Sequence, residues 1–473
     1  MKRNFKQVWL VASRELRDQL RDWRIIFPMI ALTVFFPFLM YYTARLAVEL
    51  VNKYGAGLMG ERMVPFLLMV VGFFPVTVAL VVALEAFVGE KERGTIEPLL
   101  SSPLEDWHLY VGKLIAGTIV PLIAAYLGIS VYLTSLWVSH IPLPNSSMLA
   151  QTITLTTAQG VLMVSGAMVI SAQSTSVRGA NLLASFIIIP IALLIQGESI
   201  LMFWGSNTIL WLAVFGVTVL SILLIRLGLA HFRRESLIGR EIDILNFRFM
   251  WNTFRKQFFG TARHPSDWYR DTSNTLYQQR YSILIVIVIG IIGAFSAYFY
   301  AVYKMPFLLE SAGQAGIKDI ISEVKQDLSF EAPQLSFSYI FLNNLRAIIV
   351  SLIFGVLTLS VGGIMAYLLN IGLVGGVLGL SGGLGYSPVM VLIVGVLPHG
   401  IFEITAVVIT SAAILHMGVM LVTPDPNRTM SQVFIESLAN WSRILVGFAL
   451  PLLIIAAGIE AYITPMLIAH FLR

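Results

Sequence analysis

The sequence predicts an all-α polytopic membrane protein, and three observations lead to that class. Of the 473 residues, 57% are hydrophobic and 12% are charged, which is about half the charged share of an ordinary soluble domain. Apolar runs of about 20 residues recur along the chain, the length of a helix that crosses a hydrocarbon core of roughly 30 Å. The runs are continuous, whereas the strands of a membrane barrel alternate. Because backbone groups in lipid must be satisfied within the protein, each run predicts a helix.

Composition also excludes several classes of function. The chain has no cysteine, so disulfides, thiolate nucleophiles and cysteine metal sites are ruled out. The net charge is +5, but the basic residues cluster beside apolar runs, as the positive-inside rule describes. We therefore expect membrane lipids around the chain and no nucleic-acid partner.

Residues 1–24 predict an amphipathic helix on the membrane surface. Its apolar residues recur at helical spacing, with charged residues between them: Phe5, Val8, Trp9, Ala12, Leu16 and Leu20. The excess of lysine and arginine places this helix on the cytoplasmic side. The alternative is a solvated helix packed on a soluble domain.

Six spans follow in residues 25–235, after which the chain returns to the cytoplasm. They are expected at 25–46, 65–88, 104–138, 154–176, 181–197 and 207–229, with Pro121 as a kink in the third. The connections 139–153 and 198–206 contain no lysine or arginine, whereas 226–280 contains ten. Residues 236–280 include "GTARHPSDWYRDTSN" and are predicted as a turn-rich cytoplasmic linker.

The second half, 281–473, predicts four to five spans. Four are expected in 281–303, 339–370, 388–422 and 443–470. The glycine-dense segment 371–385 is either a re-entrant hairpin or half of a fifth span. Its two GxxxG pairs, Gly372 with Gly376 and Gly375 with Gly379, favour close helix packing.

The segment Gly89–Leu104 is a short cytoplasmic loop between the second and third spans. It follows a long apolar run with five charges in ten residues, "GEKERGTIEP" within "VGEKERGTIEPLLSSP". Ser102, Pro103 and Glu105 predict a capping box that starts the third span. The loop is suited to seating on a partner protein, and the alternative is an ordinary charged loop that anchors the ends of the spans.

The segments "SRELRDQLRDWRIIFPMI" and "GEKERGTIEPLLSSPLEDWHLYVGKLIAG", with six spans, resemble the membrane subunits of type-2 ABC exporters over about residues 1–235. The resemblance implies a six-helix transmembrane domain and a coupling helix that sits in a cleft of a separate ABC ATPase. It assigns the coupling role to Glu90, Lys91, Glu92, Arg93, Gly94, Thr95 and Glu97. It places Arg14, Glu15, Arg17, Asp18 and Arg21 on the interface helix.

The resemblance also implies two permease chains and two ATPase chains, hence a homodimer of this protein. ATP and Mg²⁺ are expected on the partner, because "VGKLIAG" lacks both the earlier glycine and the following Ser/Thr of a phosphate loop. We predict no catalytic residue and no cofactor on this chain.

Beyond the linker, the chain resembles the stage II sporulation protein M family over about residues 281–473. The segments that carry the resemblance are "FLNNLRAIIVSLIFGV", "LLNIGLVGGVLGL", "LPHGIFEITAVVITSAAI" and "AAGIEAYITP". The chain is therefore predicted to be a fusion of two membrane modules.

Ionisable residues at membrane depth form a second candidate site. His399 and Glu403 are four residues apart and share a helix face, and Glu460 lies in the last span. These three join Asn343, Asn344 and Arg346 in a predicted intramembrane polar cluster. The cluster could relay protons or cations, bind a metal, or fix helix packing by hydrogen bonds. With two or three visible ligands and no HExxH pattern, we predict no metal site.

Two further glutamates lie at the ends of spans. Glu85 and Glu198 either line a permeation route or reach the interface from the span ends.

The sequence thus predicts the permease subunit of an ATP-driven exporter, multi-pass in the cell membrane of a prokaryote with a cytoplasmic N-terminus. One alternative is a structural or morphogenetic protein of envelope remodelling. Another is a cation-coupled transporter that uses His399, Glu403 and Glu460. The charged loop favours the exporter, because neither alternative needs such an element there.

Overall fold

The computed structural model describes most of the chain, with gaps. The described residues are 2–54, 57–95, 101–174, 177–204, 207–232, 247–260, 262–311, 336–383, 385–423, 428 and 430–471. The secondary structure across these ranges is helical and includes ten helices that are long and apolar enough to cross a membrane. The predicted all-α polytopic class is confirmed. The chain divides into two compact units between Leu245 and Asn246.

The first unit consists of one surface helix and six long helices. They are α1 (Lys2–Arg21), α2 (Trp23–Tyr54), α3 (Gly57–Glu92), α4 (Asp106–Val138), α5 (Ser146–Gln173), α6 (Val177–Trp204) and α7 (Asn207–His231). The six predicted spans correspond to α2–α7, with helix ends that differ from the predicted bounds by up to eight residues. In α6, the described apolar stretch is Pro190–Met202.

The junction between α1 and α2 is a helix cap. The Asp22 carboxylate accepts a hydrogen bond from the backbone N–H of Arg24 at 2.9 Å, which satisfies one of the free donors at the start of α2. The amphipathic helix α1 therefore ends at Arg21. It buries Val8, Val11 and Ala12 and exposes Phe5.

Helix α1 lies directly against α4 because residue 112 is glycine. A Cβ atom on Gly112 would lie 2.6 Å from Cβ of Val11, inside van der Waals contact. This close approach brings the charged residues of α1 beside the first turns of α4.

The two ends of the first unit have separate cores. At one end, where α3 finishes and α4 begins, the ring of Phe232 packs on Phe87 and Tyr110. At the other end, Tyr132 packs with Leu68 and Leu136, and Tyr41 Oη lies 2.7 Å from Ser139 Oγ. These contacts show that α2, α3 and α4 alternate in direction and that α7 ends beside the end of α3. The end that holds Phe87 is called the loop end below, and the other is the opposite end.

The second unit consists of two short helices and five long ones. They are α8 (Phe247–Phe259), α9 (Pro265–Gln278), α10 (Arg280–Ser311), α11 (Phe337–Leu357), α12 (Val361–Gly383), α13 (Pro388–Val422) and α14 (residues 430–471). Helix α13 contains the π-helical segment Val391–Val396, and α14 contains Leu445–Ala449 and Ile459–Ile463.

The glycine-dense segment is the second half of a complete span, so the alternative of a re-entrant hairpin was wrong. The apolar run 339–370 breaks at a tight turn in which Leu359 and Ser360 have φ of 48° and 77°. Helix α12 then continues to Gly383. A Cβ on Gly375 would lie 2.1 Å from the carbonyl oxygen of Ala294 in α10, so the glycine permits this close packing.

The segment predicted as a turn-rich linker is largely helical from residue 247 onwards, and its residues 236–246 lie outside the described part of the chain. Helix α9 begins with Pro265 in its first turn, where the missing N–H costs nothing. Trp268 Nε1 donates to the carbonyl of Phe258 in α8 at 2.8 Å. Both helices pack on the start of α14, where buried Arg443 donates to the carbonyl of Gln257 at 3.3 Å. The turn signals in "GTARHPSDWYRDTSN" were therefore misread beyond Pro265.

Candidate functional site

The predicted coupling residues begin as the last turn of α3. Gly94 has φ of 68°, a left-handed conformation that glycine adopts without strain. Its N–H donates to the carbonyl of Lys91 at 3.1 Å, and the N–H of Thr95 donates to that of Glu90 at 3.0 Å. This pair of bonds is a Schellman motif, which ends a helix and fixes the direction of the chain that leaves it.

A buried lysine joins this helix end to the surface helix. Lys113 in α4 has a side chain only 1% exposed. Its ammonium group donates to Glu15 of α1 at 2.7 Å and to Glu90 of α3 at 3.1 Å. It also lies 5.4 Å from the ring centroid of Phe87. Three helices therefore meet at one cation, which is called the Lys113 cluster below and consists of Glu15, Glu90 and Lys113.

A second lysine joins the same helix end to α5. The Lys91 ammonium donates to the carbonyls of Ala172 and Ser174, each at 2.9 Å. These are terminal carbonyls of α5, which have no partner within the helix and attract a cation. The end of α3 is thus tied to α1 and α4 through Lys113 and to α5 through Lys91.

The predicted coupling and interface residues surround one cavity at the loop end, with a volume of about 500 Å³. The predicted residues that line it are Arg14, Glu15, Asp18, Glu90, Arg93 and Thr95. Glu85 also lines it, so that side chain faces the interface helix. The structure therefore brings together two elements that the sequence places about 75 residues apart.

The other predicted residues of the loop end lie around this cavity. Arg17 and Arg21 are exposed on α1, and Glu92 is exposed on α3. Glu97 falls outside the described residues.

The start of α4 corrects the predicted capping box. The helix begins at Asp106, with Glu105 as the residue that caps it. The backbone N–H of Glu105 donates to Nδ1 of His108 at 3.1 Å. Ser102 and Pro103 precede the helix, so the cap lies three residues later than the Ser-Pro pair indicated.

Lys113 is the functional residue that sequence reasoning missed. It was considered only as a poor match to a phosphate loop. A signal was present, since a lone lysine eight residues into an apolar helix costs free energy unless it is paired. Its partners could not be found, because Glu15 and Glu90 are 98 and 23 residues away.

The second unit holds the other predicted site, a cluster of His399, Glu403 and Glu460. One ligand atom from each lies within 4.8 Å of the other two. His399 Nε2 lies 4.0 Å from Glu460 Oε2. The other ring nitrogen, Nδ1, is 3.2 Å from Thr464 Oγ1, which holds the ring with Nε2 towards the glutamates. This group is called the His399 cluster below.

Two π-helical segments place these side chains. Val391–Val396 ends just before His399, and Ile459–Ile463 contains Glu460. The helical segment Thr464–Phe471 packs against Val391–Val396. A π segment inserts an extra residue into a helical turn and re-aims the side chains beside it, and such segments are frequent at functional sites.

A cavity of about 200 Å³ adjoins the His399 cluster. His399 and Glu403 line it, together with the carboxamides of Asn343, Asn344 and Asn370. The buried Nδ2 atom of Asn344 has no hydrogen-bond partner among the described residues. Arg346 lies outside this lining and its side chain is exposed. The polar groups in this mostly apolar lining are therefore neutral amides, one histidine and one carboxylate.

Glu198 is buried rather than directed to a membrane surface. It is 3% exposed and accepts a hydrogen bond from Gln159 of α5. The expectation that it reaches the interface from a span end was wrong.

Comparison with known proteins agrees with this two-unit organisation. The profile described as ABC-2 family transporter protein matches residues 9–210, and the profile described as stage II sporulation protein M matches residues 282–465. An uncharacterized protein of Methanocaldococcus jannaschii is 31% identical over 152 residues, which cover 31% of this chain and 82% of the relative. The chain therefore combines an ABC-2 family transporter domain in its first unit with a stage II sporulation protein M domain in its second.

Proposed function

We propose that this chain is the permease subunit of an ATP-driven exporter and that a separate ABC ATPase docks at the loop end of the first unit. The observation that carries the proposal is the Lys113 cluster. It binds the surface helix α1, the end of α3 and the start of α4 into one unit. The ABC-2 membrane domain supports the same reading.

The docking surface consists of the exposed charges around the loop-end cavity. Arg14 and Asp18 on α1, and Glu92 and Arg93 on α3, present both signs of charge. Such a surface favours a specific protein partner whose charges are complementary. The positive-inside rule places it in the cytoplasm, where ATP is available.

Movement of the docked ATPase reaches the spans through bonded contacts. A displacement of Glu90 acts on α4 through Lys113, and a displacement of Lys91 acts on α5 through its last carbonyls. ATP binding and hydrolysis on the partner shift these helices between two arrangements with different access to the pathway. ATP and Mg²⁺ bind to the ATPase, and this chain supplies the pathway.

The assembly contains two copies of this chain and two ATPases. Only 11% of the apolar stretch of helix α2 is buried within the chain. That exposed surface is covered either by a second copy of this chain or by lipid. Phe27, Val34 and Phe38 are each more than half exposed there. Exposed apolar side chains of this kind can pack against lipid or against a second copy of the chain.

Co-purification tests the docking surface. The full chain is expressed with a candidate ABC ATPase, beginning with any encoded in the neighbouring reading frame, and bound ATPase is quantified in detergent. The test variant exchanges the loop charges, Glu92→Arg with Arg93→Glu. The control exchanges Arg45→Glu with Glu49→Arg, an exposed pair on α2 at the opposite end. Both variants keep the net charge.

We expect the loop exchange to reduce bound ATPase at least about tenfold, a loss of about 1.4 kcal/mol, while the α2 exchange leaves binding unchanged. Equal binding by all three proteins contradicts docking at this loop. If the wild type binds no ABC ATPase, the second candidate is a cation-coupled transporter, which the His399 cluster favours.

A further inference from the structure

The His399 cluster carries two partly buried carboxylates on helices that are long and apolar enough to cross a membrane. Along α13 from Pro388 to His399, and along α14 from Glu460 to Phe471, the helical path is roughly 16 Å at about 1.5 Å per residue. That is about half of a hydrocarbon core of roughly 30 Å. A charged group at such a depth needs a partner of opposite charge.

We propose that His399, Glu403 and Glu460 bind one divalent first-row transition metal ion, with Zn²⁺ as the best match. Among the described residues, no lysine or arginine lines the cavity at this cluster. Two ionised glutamates, one neutral histidine and one divalent cation sum to zero charge. The bound ion therefore removes the cost of holding both carboxylates in a medium of low dielectric constant.

The ligand set suits this class of metal. Imidazole nitrogen and carboxylate oxygen are ligands of Zn²⁺, and a set of three protein ligands leaves a further position open. The three ligand atoms lie within 4.8 Å of one another. Around an ion with bonds of about 2 Å, the three ligand atoms would lie about 3–4 Å apart. Rotation of the side chains can shorten the distances between them to that range.

The hydroxyl of Thr464 already holds the ring of His399 in place. Thr464 lies 3.2 Å from Nδ1 of His399, which leaves Nε2 as the ligand atom on the side of Glu460. A metal-binding histidine usually has such a partner on its other nitrogen. Thr464 is 5% exposed, so its hydroxyl is fixed by the packing around it.

The adjoining cavity gives the ion an open side. His399 and Glu403 form part of its wall, and Asn343 and Asn344 supply amides opposite them. Its volume of about 200 Å³ is enough for a metal-bound water and a small ligand. The unpartnered Nδ2 of Asn344 is a donor for either of them. This inference does not depend on the proposed docking of an ATPase.

Metal binding by the purified full chain tests the proposal. The protein is prepared in detergent without a polyhistidine tag, stripped with a chelator and dialysed against Zn²⁺, Co²⁺, Mg²⁺ or Ca²⁺. Metal content is measured by mass spectrometry, and Co²⁺ is also followed by its visible spectrum. The variants are Glu403→Gln and Glu460→Gln. The controls are His470→Gln and Glu436→Gln, one histidine and one glutamate of α14 outside the cluster.

We expect about one Zn²⁺ or Co²⁺ per wild-type chain, a low-symmetry Co²⁺ spectrum, and no retention of Mg²⁺ or Ca²⁺. Each cluster variant is expected to lose at least about 100-fold in affinity, beyond the range for second-shell changes, and the controls to lose nothing. A wild type that retains no transition metal overturns the proposal. So does a cluster variant that binds as tightly as the wild type while keeping its elution profile in size-exclusion chromatography.

Discussion

The two units each bring two glutamates together on packed helices, but the groups beside the carboxylates differ. In the first unit, Glu15 and Glu90 share the ammonium of Lys113, at 2.7 and 3.1 Å. In the second, Glu403 and Glu460 lie beside one histidine, and none of the described lysines or arginines lines the adjoining cavity.

This difference separates a structural role from a binding role. In a cluster that contains a lysine each carboxylate has a cationic partner, which suits a role in holding helices together and transmitting their movement. A cluster of two carboxylates without a cation is complete only with a ligand, because buried charge must be compensated. A pair of glutamates is therefore assigned to helix packing in the first unit and to ligand binding in the second.

Removal of Lys113 is expected to have the largest effect on stability. Lys113→Met leaves Glu15 and Glu90 without their shared cation, and breaking a buried ion pair by loss of one partner costs about 3–5 kcal/mol. The free energy of unfolding in mixed micelles measures this loss. The matched change Lys91→Met removes hydrogen bonds to two carbonyls and is expected to cost about 1.5–3 kcal/mol. If Lys113→Met unfolds like the wild type, Lys113 does not hold the helices together.

Paired carboxamide substitutions compare the two clusters directly. Glu15→Gln with Glu90→Gln strips both carboxylates from a buried lysine, with an expected cost of about 3 kcal/mol. Glu403→Gln with Glu460→Gln removes two like charges that have no cation in metal-free protein and is therefore expected to raise stability rather than lower it. Thermal unfolding of chelator-treated protein gives both values. Equal losses for the two pairs contradict the contrast between the clusters.

The substitution Gly112→Ala tests the contact between α1 and α4 without changing the ion pairs of Lys113. Gly112→Ala places a Cβ 2.6 Å from that of Val11, and overpacking of this kind typically costs about 1–3 kcal/mol. We expect α1 to move from α4 and ATPase binding to weaken. Gly376→Ala is the control, because nothing lies within 4 Å of the added atom. It is expected to leave both stability and ATPase binding intact, and equal behaviour of the two variants means that α1 does not dock through residue 112.

The smallest expected effect comes from the end of α3. Gly94→Ala must hold φ of 68° with a side chain, which costs about 1 kcal/mol. We expect this loss in the free energy of unfolding. The loop after α3 should also leave the helix in a different direction, which weakens binding of the ATPase. The substitution leaves metal content unchanged, since the His399 cluster lies in the other unit. A parallel loss of metal from this variant contradicts the independence of the two sites.

The spans could be predicted because each is a continuous run of apolar residues that can be recognised without knowing its contacts. The six spans of the first unit and the helical nature of the second followed from apolar runs alone. The turn at Thr358–Ser360 could not, since it lies within a continuous apolar run and places Leu359 in a left-handed conformation that no residue preference indicates. The sequence therefore predicted one span where the structure has two.

The sites could be predicted only in part, because their completing residues are distant in sequence. The charges of α1 and of the loop after the second span were recognisable from their composition. The link between them, Lys113, could not be assigned, since its partners are fixed by the crossing of α1 over α4 at Gly112. Likewise, Glu460 was predicted to join His399 and Glu403 because it is an ionisable residue in a span, and the packing of α14 brings its carboxylate within 4.8 Å of both.

The central claim is that the Lys113 cluster couples a docked ATPase to the spans, and ATP hydrolysis by the complex in lipid nanodiscs tests it most directly. The rate of ATP hydrolysis is compared for the free ATPase and for complexes of equal ATPase content made with wild type, Lys113→Met or the control Glu49→Gln. We predict that the wild type and Glu49→Gln change the hydrolysis rate of the bound ATPase, whereas the ATPase that Lys113→Met still retains hydrolyses ATP at the free rate. A bound ATPase that responds equally to all three chains contradicts coupling through Lys113.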